Sequence, residues 1–252
     1  MSDLIRLRPI LGLMAFLAVL LTAPLLTGCS DSADIATDVP DGWTANGNRW
    51  WTADVDTSSA FRRLETMDEM GIPGTHLLNL RLTGSTAVEQ DLARRKIAQH
   101  VKVGLLPLYR NRPEVVDSLF EKYVFPKMAD APIKGDVQPV INRYKRDGYR
   151  ILSRHFRAPH TLLKLGEDIP VPVPDSLVGT NLQGSVFMQV YIDDEGNPRA
   201  IEKLSGVHPV LDVIAMRATT NTRWQPAYVL RGGKAEPISS WARFRVNFST
   251  GG

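Results

Sequence analysis

The spacing of hydrophobic and polar positions changes rhythm several times along the chain. Ile10 to Leu26 is an apolar run preceded by Arg6 and Arg8, the layout of a secretory signal. From Thr86 onward the spacing is helical. Thr86 with Glu89 three residues later makes a capping box that opens a helix to about Val103, and Asn111, Pro113 and Glu114 open a second that runs to about Met128, bent or shortened at Pro126. A third helix spans about Val137 to Phe156. There Val140, Tyr144, Ile151, Leu152 and Phe156 fall on one side, and Arg143, Arg146, Arg150, Arg154 and Arg157 form the opposite stripe. After the extended run Ile169–Pro174 the period drops to two. Val186, Met188, Val190 and Ile192 alternate with Phe187, Gln189 and Tyr191, and a turn at Asp193–Asn197 returns the chain through Arg199 to Leu204. Val210, Leu211, Ile214, Ala215 and Ala218 share one helical face that closes near Asn221. A loop at Gly232–Gly233 then leads to a last alternating strand, Ile238 to Phe248, with Ala242, Phe244, Val246 and Phe248 facing one way.

These rhythms predict an α+β protein in four pieces: a signal over 1–28, a small, acidic tether over 29–42, a mostly helical region over 43–165, and a C-terminal domain over 166–252 in the order strand, strand, helix, strand. The proline alternation at 169–174 is the expected boundary between the last two. Trp43, Trp50 and Trp51 lie in an irregular segment and are expected as core anchors. Ser59 to Met70 has the pattern of a short helix.

Charge sharpens this division. The formal net charge is +3, but residues 29–85 carry 4 basic and 9 acidic side chains, residues 86–165 carry 16 and 8, and residues 166–252 carry 8 and 9. The basicity therefore sits in the middle third. Its arginine stripe suits a solvated face, or contact with anionic headgroups or with the acidic segment before it. An exported chain has no call for nucleic acid.

The 252 residues include one cysteine, which excludes an internal disulfide framework and a cysteine-ligated zinc or iron–sulfur site within one chain. That cysteine closes the sequence Leu26-Thr27-Gly28-Cys29, which resembles the bacterial lipobox. The resemblance implies diacylglyceryl attachment to Cys29, cleavage before it and N-acylation, with several acyl chains holding the protein on a membrane. Ser30 in place of aspartate after the cysteine implies sorting to the outer membrane of a two-membrane cell, the chain facing the periplasm. The alternative is an uncleaved helix, but 17 apolar residues reach only roughly 25 Å, just short of a bilayer core, and Pro24 interrupts them.

A second resemblance covers residues 168–248. Gly184, Val186, Val190, Ile192-Asp193, Gly196, Ser205-Gly206, Leu211-Asp212, Ala215, Ala218, Trp224, Pro226-Ala227 and Gly233 follow the order and spacing of the TonB C-terminal domain family. It implies a small three-stranded antiparallel sheet with a helix packed on one face, whose edge recruits a peptide strand from an outer-membrane partner. Two features depart from the family's energy transducers. A lipobox and a helical segment replace the motor helix and long proline-rich span, and Pro172-Val173-Pro174 has valine where the family step has tyrosine. The chain therefore reads as a lipid-anchored adaptor or scaffold in outer-membrane transport that binds an envelope protein. The alternatives are a true energy transducer, a structural envelope protein that packs or forms a homodimer, and a hydrolase with an unrecognised site.

The terminal strand carries Trp241, Arg243, Arg245 and Asn247 on its outer face, the expected contact surface for an added peptide, or else a charged guard against edge aggregation. No cofactor or metal is expected. The histidines at 76, 100, 155, 160 and 208 lack metal-ligand spacing, and Ser205, His208 and Asp212 have the residue types of a triad without a nucleophile elbow. A non-catalytic role follows.

Overall fold

The computed structural model describes residues 38–61, 81–82, 86–129, 133 and 135–251. The apolar run at 10–26, Cys29 and most of the expected helix at 59–70 lie outside them. Residues Ile35–Gly252 form one compact unit of mixed α+β architecture with antiparallel sheets.

The chain enters through a hairpin, β1 (Trp43–Asn46) and β2 (Arg49–Thr52), turned by Gly47 at φ +57°. The tryptophan segment is thus regular. The two-residue turn Gly47-Asn48 is a hairpin signal, and its strands draw their order from a distant partner. A short helix, α1 (Thr57–Ala60), follows, capped by Asp56, and then a two-residue strand, β3 (Arg81–Leu82).

The helical region begins with α2 (Ala87–Gly104), where the Thr86 side chain accepts from the Glu89 amide and Glu89 accepts from the Thr86 amide. α3 (Leu106–Tyr109) and α4 (Pro113–Tyr123) come next, and α5 (Phe125–Ala129) is set off from α4 at Val124, so the expected second helix is broken just before Pro126. β4 (Gly135–Asp136) pairs with β3. α6 (Gln138–His155) buries Ile141, Tyr144, Gly148 and Leu152, with Val140 and Ile151 at the margin of that face. Gly148 lets α6 approach α2 and α4 closely, because a Cβ there would sit 3.3 Å from both Leu105 and Val124.

β5 (Phe156–Arg157) and β6 (His160–Thr161) follow, and a 3₁₀ turn at Asp175–Leu177 ends the proline-rich stretch. The C-terminal elements are β7 (Gln183–Ile192), β8 (Pro198–Ser205), α7 (Pro209–Thr220), β9 (Trp224–Gln225), β10 (Ala227–Arg231), β11 (Lys234–Ile238) and β12 (Ser240–Ser249).

The main sheet has five strands in the order β1-β2-β8-β7-β12 where three were expected, because the tryptophan hairpin joins β8 through Trp50 opposite Ile201 and Trp51 opposite Ala200. Gly232 and Gly233 turn a second hairpin whose β10 also pairs with β5, so the expected loop is part of a three-stranded sheet, β11-β10-β5. Both pairings cross the Ile169–Pro174 run. That run connects segments which share sheets and does not separate two independent bodies.

Alternation assigns the two faces of the main sheet. Val186, Met188, Val190, Ile201, Val246 and Phe248 pack on Leu211 and Ala215 of α7. On the other face Trp241, Ala200 and Phe61 form a smaller cluster with Trp51 and Tyr191 against it. A third core lies among α2, α4 and α6, closed by Ala227 and Val229 of β10. Among the described residues no helix is long and apolar enough to cross a membrane.

Candidate docking edge on the terminal strand

Among the described residues β12 is one edge of the five-stranded sheet and pairs only with β7. Its register determines which backbone groups point outward. Beyond the strand end, the Thr250 amide donates to the Leu182 carbonyl at 2.9 Å, and the same register continued inward puts the even residues of β12 in the hydrogen-bonded pairs. Trp241, Arg243, Arg245 and Asn247 therefore direct their N–H and C=O away from β7. At the first of these the outward amide is already engaged: Trp241 N–H donates to the Asn111 carbonyl at 3.4 Å, which also accepts from Ser240 Oγ at 3.1 Å.

The other end is closed by close approach. Gly166, at φ +79°, lies against Asn247 so tightly that a Cβ would come 2.6 Å from the Asn247 carbonyl oxygen. Asn247 is further tied down, accepting from Ser185 Oγ at 2.7 Å and donating to Glu167 at 3.1 Å. Between these closures the backbone of Arg243 and Arg245 has no partner among the described residues, and both side chains are exposed. Phe187, opposite Arg245 on β7, is 45% exposed beside them.

Trp241 departs from the expected docking surface. It is 1% exposed, with its ring 5.8 Å from Phe61 and 5.4 Å from Tyr191, because the segment after the tryptophan hairpin covers that end of the face. Of the four expected contact residues, Arg243 and Arg245 present side chains to solvent, Asn247 is half-buried and Trp241 is core. Beneath Arg243, Gln189 is 3% exposed and donates to Glu202, which in turn holds Arg49 at 2.7 Å, so a polar row runs across the sheet from the edge.

Sequence reasoning missed the wall at the N-terminal end of the window. A cleft of about 260 Å³ is lined by Pro107, Arg110, Asn111, Ala158, Pro159, Ala242 and Arg243. Burial first, and the like charge of Arg110 second, push the Arg243 guanidinium below its ordinary value. It stays cationic at neutral pH.

No family model, curated protein or solved structure matches this chain.

The other candidate residues lie elsewhere. Arg143, Arg146, Arg150 and Arg154 are exposed along α6, and Arg157 is exposed in β5. Arg143 lies over the Tyr144 ring at 4.9 Å and Arg146 reaches Asp147 only at 4.0 Å, so most of the stripe faces solvent. The triad residue types serve the helix instead. The His208 ring accepts from the Val210 amide as the N-cap of α7, and Asp212, in the first turn of α7, reaches back to accept from the Val207 amide at 2.9 Å and from Lys203 at 2.7 Å.

Proposed function

We propose that this protein is a lipid-anchored component of the cell envelope that captures an extended segment of a partner protein by strand addition to β12. It acts as an adaptor or scaffold in outer-membrane transport, not as a catalyst. The observation that carries the reading is the open edge at Arg243 and Arg245, where paired outward donors and acceptors are available to an incoming backbone. The TonB-like order of elements supports it, since β7, β8, α7 and β12 occur in that sequence with β7 central among the three strands. Within this reading the β1–β2 hairpin covers β8, so the sheet's two edges are the four-residue β1 and the ten-residue β12, and the longer one serves the partner. The lipobox resemblance at Cys29 supplies the anchor, and Ser30 favours the outer membrane.

The test compares two variants in crosslinked captures from intact envelopes. Arg243→Pro removes one outward amide while leaving the β7 pairing intact, because that amide does not serve β7. It is expected to abolish capture in a chain whose circular dichroism is unchanged. Arg243→Gln with Arg245→Gln keeps the backbone and is expected to weaken capture only a few-fold. If the glutamines abolish capture and proline spares it, the surface is electrostatic and strand addition is wrong.

A further inference from the structure

Resting on the strand-addition reading, we infer that the cleft between Arg110 and Arg243 receives the C-terminal carboxylate of the captured peptide, which lies antiparallel to β12. The first support is where the edge stops. A strand paired along Arg245 and Arg243 cannot continue past Trp241, because the outward amide there is held by the Asn111 carbonyl, and Pro107, Arg110 and Asn111 stand beyond it. An added chain must end or turn away at that point. A chain that ends there presents either an ammonium or a carboxylate.

The second support is the chemistry of the cleft. Its lining brings two guanidiniums together with prolines and alanines and, among the described residues, no carboxylate. Two like charges facing one partly screened space repel each other, and Arg243 registers that repulsion from Arg110. An ammonium would add to it, whereas a carboxylate relieves it and matches the planar donors of arginine, two-pronged to either one. The sign of the charge therefore sets the direction of the peptide. β12 runs from Ser240 to Ser249, so a carboxylate at the Trp241 end requires an antiparallel strand. The window at Arg243 and Arg245 is short, and a charged terminus held by two arginines adds the fixed point that so few ladder bonds lack.

The experiment uses the mature chain and an array of random nonapeptides, each synthesised with a free C-terminal carboxylate and as its C-terminal amide. The expected result is a set of binders that weaken about three- to fivefold on amidation. Arg110→Gln and Arg243→Gln should each abolish that preference while amide binding stays as it was. Methylating alternate backbone nitrogens of the best binder should remove binding to the unaltered protein, a test of the ladder that needs no mutant to fold. Binders indifferent to amidation but sensitive to N-methylation would overturn the terminal carboxylate and leave strand addition standing. Binders sensitive to amidation but indifferent to N-methylation would point to an anion site alone and overturn both. So would an array with no binder in either series.

Discussion

The carboxylate of Asp212 fills the space that a side chain at position 206 would need. Gly206 is required there for room and not for an unusual backbone, since its φ is not positive and a Cβ would overlap the Asp212 carboxyl group. That carboxylate receives the Val207 amide at 2.9 Å, the His208 amide at 3.4 Å and the Lys203 ammonium at 2.7 Å, so it ties the end of β8 to the start of α7. Gly206→Ala should displace it and lower stability by about 2–4 kcal/mol. Asp212→Ala should have a similar effect, and the double variant should lose clearly less than the two losses together, because both changes remove one set of bonds. Urea denaturation of the three variants checks this, and strict additivity would refute the relationship.

Trp224 joins the α7 side of the sheet to the β7–β8 turn. Its ring meets Phe244 edge-on at 5.1 Å and its amide donates to the Gly196 carbonyl at 3.1 Å. Trp224→Ala should destabilise the fold by about 3–5 kcal/mol. Thermal unfolding followed by circular dichroism measures the loss, and an unchanged melting temperature would contradict the burial of this ring.

His100 sets a pH dependence in the helical region. It is buried in α2, and burial first, with Lys145 second, holds its pKa below the ordinary 6.5. The folded chain therefore binds fewer protons at this site than the unfolded chain. The stability that comes from a neutral His100 is fully present above pH 6.5 and is lost as the pH falls from there toward the lower folded-state value. The slope is at most ~1.4 kcal/mol per pH unit for one proton. Chemical denaturation between pH 7.5 and 5 should show this loss in the parent, and His100→Gln should flatten it; equal slopes would remove His100 as the cause.

Membrane attachment is tested at a residue outside the described part of the chain. Cys29→Ala should leave the unfolding curve of the mature chain unchanged and move the protein from the membrane to the soluble fraction, because the proposed role of Cys29 is attachment. Fractionation with and without detergent, and mass spectrometry of the N-terminus, read this directly. Firm membrane association of the variant would assign the anchor to another part of the chain.

Elements that depend on local chemistry are legible in the amino-acid sequence. The Thr86–Glu89 box needs only four residues to define a helix start, and the Val186–Ile192 alternation only one sheet face. What escapes such reading depends on distant partners. The Gly47-Asn48 turn is a signal in itself, but its four-residue strands are ordered by β8, about 150 positions away, as the Arg49–Glu202 ion pair illustrates. β11 is exposed along almost its whole length, so no hydrophobic period marks it. Trp241 shares the alternation of the edge arginines, and only Phe61, from the other end of the chain, turns it from a surface into a core position. The closure of the docking window at Asn111 is a backbone carbonyl, which carries no signature in side-chain pattern at all.

The five-stranded order has a mechanical consequence. The chain enters at β1 on one flank, and the proposed partner joins β12 on the other, four interstrand spacings or roughly 19 Å away. A pull between an anchored N-terminal side and a captured peptide would be carried from ladder to ladder across β2, β8 and β7, each loaded in series. The shortest of these ladders is β2 on β8, paired through only Arg49, Trp50 and Trp51. Under tension that seam would part before the ten-residue register between β7 and β12, so within the sheet the tryptophan hairpin would yield first.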